Sequence, residues 1–235
     1  VQNAQSASSA NETERAVIAA IATRYSADRK AGRAELDRAF SNAMQQLSRR
    51  YPDDNDAGVL YAESLMDLQP WDLWTNDGKP KGNTLEVVQV IEKVLAKQPD
   101  HPGATHLYVH ALENSPYPEK ANRAADILRT LVPTSGHLVH MPAHIDVQTG
   151  RWGLAAEANE QAIAADKKYR EISPRQGFYA IYMAHNHQFL SWVCTMDGRS
   201  AKAVEEARTM IAGVPKEFIE KMPAAIDGYL PIAYE

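Results

Sequence analysis

Two His-x-x-x-His pairs, His106/His110 and His140/His144, stand 34 residues apart in the chain. Residues four apart on a helix lie one above the other, with Cβ atoms about 5–6 Å apart, so each pair sets two imidazoles side by side. Such a pair is a two-ligand unit for a transition metal, and a carboxylate such as Glu63 or Glu113 can complete the shell. All eight histidines lie between positions 101 and 187, and His185 or His187 is a further ligand candidate. In a regular helix those two cannot share one direction. The only cysteine is Cys194, so the ligand set is imidazole and carboxylate, which suits Zn, Cu, Fe or Ni. Three other roles stay open for the histidines: packing within a core, a polar peptide-binding groove, and a pH-sensitive or anion-binding groove.

The elements that must carry these residues are helices, because apolar residues recur with helical period nearly throughout and strand-like alternation is scarce. Amphipathic helices are expected over 12–25 and 35–50. Thereafter a proline recurs between helices at Pro52, Pro99, Pro133 and Pro174, with spacings of 47, 34 and 41. The first spacing shortens to 34 if residues 69–81 (QPWDLWTNDGKPK) are a 13-residue inserted loop, reaching 83 at its widest. The third exceeds 34 by two helical turns, which lengthening of a helix over 152–169 would absorb. In the inserted loop Trp71 and Trp74, with Asp72 and Asp77, either form a lid or anchor the loop.

With that punctuation the chain resembles the tetratricopeptide repeat (TPR) family, whose repeat is a helix-turn-helix of about 34 residues. Counting Pro102 as position 1, Ala121 falls at the small position 20 and Pro133 at the proline of position 32. Counting from Gly136, Ala143, Ala155 and Ala162 fall at positions 8, 20 and 27. Thr105 and Val109 stand where the family has its early Trp and Gly. The strings His101-Pro-Gly-Ala-Thr-His106-Leu-Tyr-Val-His110-Ala-Leu-Glu113 and Gly136-His-Leu-Val-His140-Met-Pro-Ala-His144-Ile145 look like those of bacterial repeat proteins with His-rich helices. The resemblance implies an all-α fold, a right-handed superhelix of antiparallel helix pairs, with recognisable repeats over 52–212. The expected organisation is a disordered segment 1–10 and one domain over 11–235.

The resemblance also implies that positions 2, 5, 9, 12 and 13 of each first helix line a concave groove. His106 and His140 then take position 5, His110 and His144 position 9, Glu63 position 9 of the preceding repeat, His137 position 2 and Glu113 position 12. His185 takes position 9 counted from Pro174, or position 2 if Gly198 matches Gly150. Pro142, between His140 and His144, either starts a helix or kinks one and frees the carbonyl of Leu138.

A net charge of −5 with no Lys/Arg block gives nucleic acid nothing to grip. No apolar stretch approaches the roughly 20 residues of a membrane span. The sequence opens on Val1 and a small, polar segment, as after removal of a signal peptide or in a trimmed fragment, which favours an exported or periplasmic location. Phosphate loops, Gly-x-Ser-x-Gly elbows and His-Glu-x-x-His motifs are absent. Two functions follow. In one, a His/Glu cluster in the groove binds a transition metal, with Glu113 as candidate general base or orienting group if the metal is catalytic. In the other, the protein is a scaffold that binds a peptide or small molecule in the groove, without catalysis.

Overall fold

The computed structural model describes residues 2–6, 9–28, 30–214 and 220. The chain forms two compact units, 1–116 and 117–235. Among the described residues the secondary structure is helical, apart from an isolated bridge between Trp74 and Pro80.

The first unit contains α1 (Gln2–Gln5), α2 (Glu12–Ala22), α3 (Arg33–Arg50), α4 (Asn55–Met66), α5 (Thr84–Lys97) and α6 (Pro102–Leu112). Local sequence starts these helices. Asn11 and Glu14 cap α2 reciprocally, and Asp54 accepts the Ala57 N–H at the start of α4. His101 begins α6, with Nδ1 accepting the Ala104 N–H and Pro102 in the first turn. Consecutive helices from α2 to α6 pack on one another, and α4 also touches α6. That alternate contact brings Glu63 of α4 and the C-terminal end of α6 to one region.

Residues 67–83 form the connection from α4 to α5. Thr75 N–H donates to Lys79 O and Lys81 N–H to Leu73 O, both at 2.9 Å, which folds the loop back on itself. Leu73 is buried, and Trp74 Nε1 donates to the carbonyl of Ala111 at 2.7 Å. Trp74 therefore anchors the loop to α6. Trp71 is 81 % exposed and has a φ of 57°.

The second unit opens with a 3-10 turn (Pro118–Ala121) and continues with α7 (Asn122–Leu131), α8 (Gly136–His140), α9 (Pro142–Gln148), α10 (Trp152–Ile172), α11 (Tyr179–Met196) and α12 (Ser200–Gly213). Helix α10, at 21 residues, packs against α8, α9 and α11 with a buried stripe that includes Ala155, Ala158 and Ala162. Small side chains let neighbouring axes approach. Gly136 is required by the same closeness, since a Cβ there would lie 2.1 Å from Asp166 Oδ1.

Pro142 divides the His140/His144 segment into two helices. Met141 keeps helical angles, φ −51° and ψ −39°, so the backbone runs on in nearly the same direction. Both sequence alternatives are thereby partly realised: a helical turn precedes the proline, and a new helix begins at it. Two later turns match closely. Gly150 and Gly198 both have φ of 75°, and Arg151 N–H to Asp146 O and Arg199 N–H to Cys194 O are both 2.8 Å. This equivalence puts His185 at the place in α11 that His137 holds in α8.

Candidate metal centre

His140 is completely buried, on the inner face of α8 where α10 and α11 pack. Its Nδ1 lies 2.7 Å from Asn159 Oδ1, and Asn159 Nδ2 donates to the carbonyl of Ala155 at 2.7 Å. That second bond fixes the amide, so Oδ1 faces His140 and Nδ1 must donate to it. Burial pushes the His140 pKa well below its ordinary value, and the neighbouring His144 and His185 push the same way. A neutral ring with its proton on Nδ1 presents a lone pair at Nε2.

That lone pair points at His144. The two Nε2 atoms are 2.8 Å apart, so without a metal the His144 Nε2–H donates to His140. His185 of α11 comes from the other side, with its ring centroid 4.8 Å from His140 and 5.8 Å from His144. One candidate ligand atom from each of the three lies within 4.8 Å of the others. Two nitrogens bound to one tetrahedral ion at ~2.0–2.1 Å stand about 3.3 Å apart, so small ring movements suffice to enclose an ion.

An aromatic ring and a hydrogen-bond network hold the cluster, in which His140 is buried and His144 and His185 are half-buried. The Phe189 ring lies 5.0, 4.8 and 5.7 Å from His140, His144 and His185. His185 Nδ1 is 2.9 Å from Gln188 Oε1. Behind α8, Tyr179 donates to buried Asp166 at 3.1 Å and accepts the His137 N–H at 3.3 Å, while Asn186 Nδ2 donates to Asp166 at 2.7 Å. Burial raises the Asp166 pKa and pushes Tyr179 up to about 12. These bonds tie α8 and α11 to α10.

His187 turns elsewhere. Its Nδ1 meets Glu206 of α12 at 2.5 Å, and Lys202 meets the same carboxylate at 2.6 Å. Burial alone would raise the Glu206 pKa, but these two partners outweigh it and hold the group below its ordinary value.

In the first unit, the His106 and His110 rings stand edge to face with centroids 4.9 Å apart. His110 Nδ1 is 2.9 Å from Glu113 Oε1. His110, Glu113 and Glu63 line a cavity of about 240 Å³ together with Trp71 and Trp74. The desolvating protein around Glu63 raises its pKa, the Asp67 carboxylate adds to the rise, and Arg24 opposes it through space.

Sequence reasoning did not single out Asn159 or Phe189. Asn159 had a readable signal, a polar residue inside the alanine stripe of an otherwise buried helical face. Phe189 had none beyond its place one turn after His185.

No family model matches the chain, and no curated protein matches it. Solved structures do match. MamA 41-end from Desulfovibrio magneticus RS-1 is 14% identical, with a TM-score of 0.57 over 77% of this chain and 86% of that one. TTC0263, a thermophilic TPR protein of Thermus thermophilus, is also 14% identical, with a TM-score of 0.53 over 85% and 90%. At that identity the likeness shows the fold, an all-α, TPR-like α-α superhelix class.

Proposed function

We propose that this protein is a TPR-like metal-binding scaffold, in which His140, His144 and His185 hold a transition metal such as Zn, Cu or Fe. The observation that carries the reading is the buried, neutral His140. Its Nδ1–H is held by Asn159, and its Nε2 lone pair faces His144, with a third imidazole within reach. An outer amide that fixes the tautomer of a ligand histidine is a recurring feature of metal sites. Three neutral imidazoles leave a divalent ion its full charge and an open coordination position, which would acidify a bound water. The narrower kinship with bacterial proteins bearing His-rich repeat strings belongs to the same reading, since His140 and His144 come from one of those strings.

Elemental analysis of tag-free protein tests it. We expect about one metal ion per chain after loading with Zn or Cu, and its loss in His140→Ala. Protein that takes up no metal and shows no thermal shift with Zn, Cu or Fe would remove the reading.

A second reading, a scaffold that binds peptides without catalysis, is favoured by the TPR fold of the structural neighbour TTC0263. Under either reading Glu113 serves as an orienting group for His110, on the strength of their 2.9 Å contact.

A further inference from the structure

The cavity of about 240 Å³ in the first unit combines aromatic and acidic lining residues. Trp71 and Trp74 are among its lining residues, and so are Glu63 and Glu113. Trp74 is fixed by its bond to Ala111. Trp71 exposes a large apolar ring to solvent from a left-handed backbone conformation that a bulky residue rarely adopts. An exposed indole beside an acidic cavity gains little from packing, and its face carries the negative end of the ring quadrupole.

The charges in the cavity wall are unevenly compensated. Arg24 binds Asp67 at 2.8 Å and Asp37 at 3.1 Å, so its guanidinium is committed to those two carboxylates. Glu63 receives only its through-space influence, and its pKa is raised. Glu113 is directed at His110. With Asp67 bonded to Arg24 and Glu113 facing His110, the exposed Glu63 is the cavity carboxyl placed to meet a cation. A hard metal ion is a poor occupant, because Ca²⁺ takes six to eight oxygen ligands and half of this wall is apolar. At about 240 Å³ the space is also below the ~300–1,000 Å³ of drug-sized pockets. It fits one compact group.

We infer that this cavity binds an organic cation, a methylated or alkyl ammonium group, with Trp71 and Trp74 as the aromatic wall and Glu63 as counter-ion. Attraction between a desolvated ammonium and indole faces is the recognition mode of quaternary-ammonium cages. The group can arrive as a free small molecule or on the side chain of a peptide, and the ammonium chemistry is common to both. The inference is independent of the metal centre.

Calorimetric titration of the full chain tests it, with choline, with choline's uncharged carbon isostere dimethylbutanol, and with a trimethyllysine peptide. Saturable binding of choline or the peptide is expected, with quenching of tryptophan fluorescence. The uncharged isostere should bind at least about tenfold more weakly, and Glu63→Gln and Trp71→Ala should each weaken the cation about tenfold. His140→Ala should leave the affinity unchanged, which separates this site from the metal centre. Tighter binding of the peptide assigns the cation to a protein ligand, and tighter binding of choline to a free molecule. Equal binding of the isostere, no effect of Glu63→Gln in a variant with unchanged circular dichroism, or no saturable binding of either cation would overturn the inference.

Discussion

The rings of His140 and His144 lie 4.7 Å apart at 82°, and those of His106 and His110 lie 4.9 Å apart at 70°. The four-residue spacing sets this geometry almost identically in the two units. What differs is the group that takes Nδ1. For His140 it is a neutral amide from another helix, Asn159 of α10, in a fully buried setting. For His110 it is a carboxylate one turn further along its own chain, Glu113, in a half-buried setting beside an acidic cavity. A motif therefore determines how two imidazoles face each other, and the tertiary partner determines what they are prepared to hold. The first arrangement readies a lone pair for a metal, and the second adds an anion to the wall of a cavity.

The largest test of that contrast is His140→Ala. Removing a large, fully buried side chain is expected to cost about 2–5 kcal/mol of stability and to abolish metal uptake, measured by urea unfolding and elemental analysis. His110→Ala should leave uptake at the His140 cluster intact. If both substitutions abolish it equally, the two pairs are not distinct in the way their Nδ1 partners indicate.

Asn159→Leu comes next. It leaves the His140 Nδ1–H buried without an acceptor, at a cost of about 1–3 kcal/mol, and metal affinity should fall about 10–100-fold. Competition titration against a chromophoric chelator reads the second effect. An unchanged affinity would mean that the amide does not set the tautomer.

Acid supplies a third test, on metal-free protein. His140 has a folded pKa well below 6.5, so below about pH 6.5 the unfolded chain binds a proton that the folded chain refuses. Its contribution to stability is present above that pH and is lost as pH falls, by about 1.4 kcal/mol per unit. Unfolding at pH 7, 6 and 5 should show this slope in the native protein and a shallower one in His140→Gln. The smallest expected effect is at the other unit, where Trp74→Phe removes the bond to Ala111 and should cost about 1 kcal/mol in a thermal melt. A larger loss there would mean the loop contributes more to the first unit than one anchor.

The helices and the pairing of histidines were legible because both follow from short-range spacing. Proline punctuation located the connections, and Pro142 announced a break between His140 and His144. The choice between His185 and His187 was not legible, since it depends on which residues of α8 and α12 lie opposite α11. The Gly150 and Gly198 turns held part of the answer: their equivalent hydrogen bonds align α11 with α8 and put His185 in His137's position. Asn159 stood out as a polar residue in an alanine stripe, but its pairing with His140 was hidden, because the two are 19 residues apart and on different helices. The division into two units was equally unreadable, because the proline-punctuated helical pattern continues across it. Trp74 and Trp71 looked alike in sequence, and only the fold shows one pinned to a carbonyl and the other turned to solvent.

Pro142 has a mechanical consequence for the cluster. As a chelate, His140 and His144 must open their bite from 2.8 Å to about 3.3 Å to embrace a tetrahedral ion. In an unbroken helix, spreading two side chains across one turn works against the hydrogen bond joining that turn. Here that turn is already altered: the His144 N–H donates to the Met141 carbonyl at 3.1 Å, and proline has no N–H to offer Leu138 in the turn before it. The jaw can widen at its own hinge, and ions of different radius meet a ligand pair whose gape is adjustable.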